Sequence, residues 1–205
     1  METAVALILE TIEAKKSIVV YGDYDVDGIT ATSLLYRFLV KMGARVSYYI
    51  PERQSEGYGL NLEALEHIIS DGASLVITVD CGISSYDIVE AVCDRIDIII
   101  TDHHTAPPQI PPARAVINHK QPDCPYRDKN LSGVGVAFKL CQALWLRQCG
   151  EWYLDDLDIV ALGTVADVVP LVGENRIIVQ AGLKKMNELP NLGIDKLIDV
   201  AGLHD

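Results

Sequence analysis

Short apolar runs alternate with helix-like stretches from Ser17 to Ile117, and this alternation restricts the chain to few architectures. Ser17–Tyr21, Arg45–Ile50, Ser74–Val79, Ile96–Thr101 and Ala115–Ile117 read as strands rich in Ile and Val. Between them, Ile29–Met42, a stretch capped by Asn61 and reaching Ile69, and Ser84–Cys93 carry helical spacing. Strands separated by helices of about ten residues cannot close as hairpins and form βαβ units instead. The strand runs lack strict alternation, so both faces of the sheet are expected to be covered. The prediction is an α/β fold, three-layer α/β/α, with a mostly parallel five-stranded sheet.

Outside that core, Ala4–Ala14 reads as an opening helix. Thr105–Pro112 holds four prolines in eight residues, which neither a helix nor a central strand accepts. Strand signals then fade. Gly135–Cys149, Leu157–Asp167, Glu174–Met186 and Leu197–Ala201 are predicted helices, giving one domain over residues 1–205 with a helical C-terminal part.

Twenty-nine acids against seventeen bases leave a net charge of -12, which argues against gripping nucleic acid through a basic surface along the whole chain. Bound cations would change that balance locally. The five cysteines are odd in number and none are spaced Cys-x-x-Cys, so reduced thiols and a cytoplasmic location are expected. No apolar run approaches the roughly 18 residues of a membrane span, and no membrane role is expected.

Four predicted elements border segments of acids or histidines: Asp23, Asp25 and Asp27 between Gly22 and Gly28; Asp80 before Cys81-Gly82; Asp102-His103-His104; and Asp167 after Val165-Ala166. In parallel sheets, ligands gather at the carboxyl ends of the strands, where the first three groups would converge. Their mutual repulsion calls for positive charge between them. Mixed carboxylate and imidazole donors suit Mn2+, Mg2+ or Zn2+, and two ions about 3.5–4 Å apart need ligands from several segments and a bridging carboxylate. A calcium loop is disfavoured because its twelfth position, counted from Asp23, is Leu34. Taken singly, Asp167 also reads as a helix cap and His103-His104 as a surface turn, but capping leaves three aspartates in one turn unexplained; the concurrence of all four segments favours a metal centre. The backbone amides around Gly133 and Gly135 are candidates to hold a phosphate, with close helix packing as the alternative.

These segments carry a resemblance. Val20-Tyr21-Gly22-Asp23-Tyr24-Asp25-Val26-Asp27-Gly28-Ile29-Thr30, Glu56-Gly57-Tyr58-Gly59, Thr78-Val79-Asp80-Cys81-Gly82-Ile83, Asp102-His103-His104, Leu131-Ser132-Gly133-Val134-Gly135-Val136-Ala137-Phe138 and the stretch from Ala161 through Asp167 to Leu171 together resemble the catalytic N-terminal domain of the DHH phosphoesterase superfamily. The wording is most similar to its single-strand-specific exonuclease branch. That resemblance implies two divalent ions, Mn2+ or Mg2+. Asp25 would bind one and Asp27 the other, Asp80 would bridge them, and His103 with Asp167 would complete the second site. Asp23 would ligate directly or orient the cluster. His104 would lie beside the scissile phosphate as a catalytic group, and Arg53 would touch a substrate phosphate.

The implied activity is 5′-to-3′ hydrolysis of single-stranded DNA in repair and recombination, with helicase or single-strand-binding-protein partners. Cleavage of short oligonucleotides or cyclic dinucleotides is the enzymatic alternative, and an inactive scaffold the non-enzymatic one. Two departures matter. Superfamily members built for small substrates place a histidine four residues before the first metal-binding aspartate, where this chain has Tyr21. The glycine- and histidine-containing motif of a C-terminal DHH-associated domain is not matched by Ala201–Asp205. An excised piece of a longer enzyme is therefore expected, one that retains metal binding with little nuclease activity by itself.

Overall fold

The computed structural model describes residues 1–53, 57 and 59–203. Five strands, β1 (Ser17–Tyr21), β2 (Arg45–Tyr49), β3 (Leu75–Val79), β4 (Asp97–Thr101) and β5 (Ala115–Ile117), form one sheet in the order β2-β1-β3-β4-β5. Every pairing is parallel. The register sets the strand ends level: Tyr21 lies beside Tyr49 and Thr78, and Thr101 beside Val79 and Ile117. All five carboxyl ends therefore open onto one edge. The order reverses between β1 and β3, the place where open parallel sheets form a crevice.

Period-two geometry explains the unbroken apolar strands. Ile18, Val20, Leu75, Ile77, Val79 and Ile99 face one core, whereas Val19, Tyr21, Val76, Ile98 and Ile100 face the other. The first core is covered by α1 (Glu2–Glu13), α2 (Val26–Lys41) and α5 (Gly133–Cys149), with α6 (Leu157–Ala166), α7 (Gly173–Glu188) and α8 (Leu192–Ala201) packed outside. The second is covered by α3 (Leu62–Ser70) and α4 (Tyr86–Val92). The predicted three layers are present.

Two helix starts depart from expectation for reasons of capping. α2 begins at Val26 rather than Ile29 because Asp25 Oδ1 accepts from Gly28 N at 2.9 Å. α5 begins at Gly133 rather than Gly135 because Ser132 Oγ accepts from Gly135 N at 3.2 Å. α8 begins at Leu192, five residues before the predicted Leu197. The Thr105–Pro112 stretch is irregular, as its prolines require. All five cysteines are free. Among the described residues no helix is long and apolar enough to cross a membrane.

Candidate metal centre

At the carboxyl edge the chain turns sharply after β1 and β3. Asp23 and Asp27 are buried while Asp25 is exposed. A Cβ on Gly28 would meet the Asp23 backbone oxygen at 2.6 Å, so only glycine lets the acidic turn fold onto α2. After β3, Asp80 adopts a left-handed φ of 61° and Gly82 a φ of 104°. Such a backbone costs a non-glycine residue about 1–2 kcal/mol, and it throws the Asp80 carboxylate over the sheet edge. Gly133 makes room there: a Cβ would stand 2.4 Å from Asp80 Oδ1.

Three trios of donor atoms result, each within 4.8 Å of one another: Asp23, Asp25 and Asp80; Asp80, His103 and His104; and Asp27, His103 and Asp167. Asp80 and His103 belong to two trios each, so the clusters are joined. His103 Nε2 lies 3.2 Å from Asp80 Oδ1 and 3.9 Å from Asp27 Oδ2, and its Nδ1 lies 3.6 Å from Asp167 Oδ2. Asp80 Oδ1, His103 Nδ1 and Asp167 Oδ2 are buried without a hydrogen-bond partner. Three orphaned polar atoms converging in one place are costly unless a cation is the missing partner. Their oxygen and imidazole chemistry fits Mn2+ or Mg2+.

Protonation tells the same story. Burial, then the neighbouring Asp80 charge, pushes Asp27 up to about 8. Burial and the Asp25 charge push Asp80 up to about 9. Burial also raises Asp23 and Asp167, and lowers His103, keeping its imidazole neutral. Asp167 closes the C-terminal end of α6, where the helix dipole further disfavours a negative charge. Val168, next along, has a φ of 59° and is 86% exposed, an unusual backbone for a β-branched residue.

His104 is held differently. Its Nδ1 lies 2.8 Å from Asp102 Oδ1, which also accepts from His104 N at 3.0 Å. Asp102 Oδ2 accepts from Ile83 N at 2.9 Å. Burial opposes charge on Asp102, but these donors prevail and hold it below the usual carboxylate range. The same bond raises His104 to about 9. Asp102 was legible as the first letter of its motif, yet its role as the orienting partner of His104 appears only in three dimensions.

The structure thus brings Asp23, Asp25, Asp27, Asp80, His103, His104 and Asp167 to one place. The predicted phosphate cradle is corrected: Gly133 N and Val134 N donate to Asp27 Oδ2 and Oδ1 at 2.6 and 2.8 Å, and Gly135 N serves the Ser132 cap. The amides at the start of α5 already hold a carboxylate. Arg53 lies over the Tyr24 ring at 5.3 Å, next to the acidic turn. Glu56, Tyr58, His204 and Asp205 fall outside the described residues. Tyr21 is fully buried and donates through its hydroxyl to Gly59 O at 3.2 Å. A cavity of about 330 Å³ opens beside His104, bordered by Gly59, Gly82, Ser85 and Asp102.

Known proteins resemble this chain in sequence and in fold. Residues 17–164 match the family model described as DHH family, N-terminal domain. The single-stranded-DNA-specific exonuclease RecJ of Bacillus subtilis (strain 168) is 44% identical over 203 residues, covering 98% of this chain and 25% of that protein. The crystal structure of exonuclease RecJ bound to manganese superposes with a TM-score of 0.89 at 37% identity, covering 97% of this chain and 51% of that one. RecJ from Thermus thermophilus in complex with Mn2+ gives 0.82 at 35% identity, covering 97% and 29%. The chain spans between a quarter and about half of these relatives. Strand order, the Asp102-His103-His104 turn and a family match across most of the sequence lead to one assignment: the chain belongs to the DHH family, whose N-terminal domain it carries.

Proposed function

We propose that residues 1–205 act as the catalytic domain of a phosphodiesterase that uses two divalent cations, Mn2+ or Mg2+, to degrade single-stranded DNA from its 5′ end. The observation that carries this reading is the joined set of donor trios around Asp80 and His103, with buried atoms of Asp80, His103 and Asp167 left without protein partners. The similarity to RecJ exonucleases supports the substrate. The Mn2+-bound structures of relatives support the metal.

In this reading Asp25, with Asp23, would hold one ion, and Asp27, His103 and Asp167 would hold the other, with Asp80, which belongs to two donor trios, as the ligand they would share. When bound, such cations would supply Lewis acidity that lowers the pKa of water and offsets charge on phosphoryl oxygens. Asp102 fixes the His104 ring through Nδ1, so Nε2 is turned toward the substrate to orient the phosphate or pass a proton to the leaving oxygen. The amides of Gly133 and Val134 hold Asp27 in place, a supporting layer that preorganises the ligand. The cavity beside His104 offers room for part of a nucleotide. A role in DNA repair and recombination in the cytoplasm, alongside a helicase or single-strand-binding protein, follows from the same reading.

Calorimetric titration with Mn2+, paired with incubation on a 5′-labelled single-stranded oligonucleotide, tests it. Two ions per chain are expected, with mononucleotide products wherever cleavage is seen. A folded chain that takes up no Mn2+ sinks the proposal.

A further inference from the structure

Across the carboxyl edge of the sheet, the charged groups follow the strand order. Arg53 follows β2; Asp23, Asp25 and Asp27 follow β1; Asp80 follows β3; Asp102, His103 and His104 follow β4. Lys120 follows β5, at the opposite border from Arg53. With about 4.8 Å between neighbouring strands, the two outer strands stand roughly 19 Å apart. The acidic centre therefore lies between a basic residue that follows β2 and one that follows β5.

The segment carrying Lys120 is fixed to the catalytic turn. Asp102 N donates to Ile117 O at 3.1 Å, extending the β4–β5 ladder past its last paired residues. Asn118, 2% exposed, donates through Nδ2 to His104 O at 2.8 Å and accepts from Lys120 N through Oδ1 at 2.7 Å. One buried amide thus ties the backbone of His104 to that of Lys120. Gln121 Nε2 donates to Val116 O and Asn118 O, at 3.2 and 3.1 Å. Lys129 Nζ donates to His119 O and Cys124 O, closing the turn from below.

Lys120 itself is exposed and forms no ion pair within 4 Å among the described residues. Among the described residues, Arg37, Lys41, Arg95, Arg114 and Lys139 each have a carboxylate partner. An exposed cation on a braced turn beside a phosphoryl-transfer centre is placed to receive a phosphate.

We propose that Lys120, held by Asn118, binds the backbone phosphate next to the one being cleaved, so that the single strand crosses the sheet edge from the Arg53 side to the β5 side. This rests on the reading of the centre as a phosphodiesterase acting on a single strand. The test is fluorescence anisotropy of a short labelled oligothymidylate bearing phosphorothioate linkages, in Mn2+, with the 205-residue chain and its K120Q and K120R variants over a salt series. K120Q should bind about five- to tenfold more weakly at low salt, and its log–log salt slope should be shallower by about 0.7, the increment of one single-strand phosphate contact. K120R should restore both, with Mn2+ affinity the same in all three. Unchanged affinity and slope in K120Q, failure of K120R to restore them, or a parallel loss of Mn2+ binding would each overturn the proposal. A parent that binds Mn2+ but no oligonucleotide strikes the single-strand reading as well, which separates the two failures.

Discussion

At the scale of single residues, the division between holding cations and acting on substrate can be separated by mutation. Asp80→Asn removes the donor shared by two trios, and Mn2+ affinity should fall by at least roughly 100-fold, the upper end of what losing a mere supporting partner costs. His104→Ala should leave that affinity within about twofold while turnover drops by a factor of roughly 10² to 10⁴, the usual share of an acid–base group. Asp102→Asn keeps the shape of the hydrogen bond but not its charge. The His104 ring, now held at about 9, should then titrate closer to an ordinary imidazole, shifting the alkaline limb of a pH–rate profile downward. Proton counting gives a further check. Asp27 and Asp80 hold protons up to about 8 and 9 without a cation, so Mn2+ must displace them. Affinity measured by calorimetry should tighten steadily from about pH 6 to 9, with proton release visible as a dependence of the heat on buffer ionisation enthalpy.

Elements matter because the ligands sit at their ends, and the ends are set by how closely helices approach. α6 passes α2 and α5 at Gly163, where a Cβ would lie 2.1 Å from Thr30 Oγ1, 2.8 Å from Val134 Cγ1 and 3.2 Å from Asp27 Oδ1. Gly163→Ala should destabilise the chain by about 1–3 kcal/mol in urea, as overpacking does. It should also weaken Mn2+ binding, because the displaced helix carries Asp167 at its C-terminal end. Gly133 and Gly28 serve the same close approach on either side of the centre, against Asp80 and Asp23. The requirement for glycine in the acidic turn was readable from the crowding of ligands there. The tasks of Gly133 and Gly135 were not, because their amides go to Asp27, over a hundred residues away, and to the Ser132 cap. Nothing in local sequence distinguishes a helix start that awaits a phosphate from one already filled by a carboxylate.

For the molecule as a whole, the centre sets a conflict between folding and function. Asp27 and Asp80 have folded-state pKa values raised far above those of an unfolded chain, so their contribution is favourable at low pH and lost as pH rises through about 8–9. His104, raised to about 9, acts in the same direction. The cation-free chain should therefore melt at lower temperature at about pH 9 than at about pH 7, and saturating Mn2+ should remove or reverse that slope by binding the folded state alone. A melting temperature indifferent to Mn2+ at the higher pH would contradict this. The sequence by itself determined the parallel α/β sheet, because apolar strands alternating with helices leave few other ways to bury two faces. It also marked Asp25, Asp27, Asp80, His103, His104 and Asp167, because acids and imidazoles bordering such apolar elements need a common partner. Only the tertiary structure decided which of them are joined, that Asp102 orients His104, that α5 spends its first amides on Asp27, and that Lys120 borders the centre opposite Arg53. Those facts depend on strand order and helix approach, which bring together residues whose separation along the chain carries no trace of their meeting.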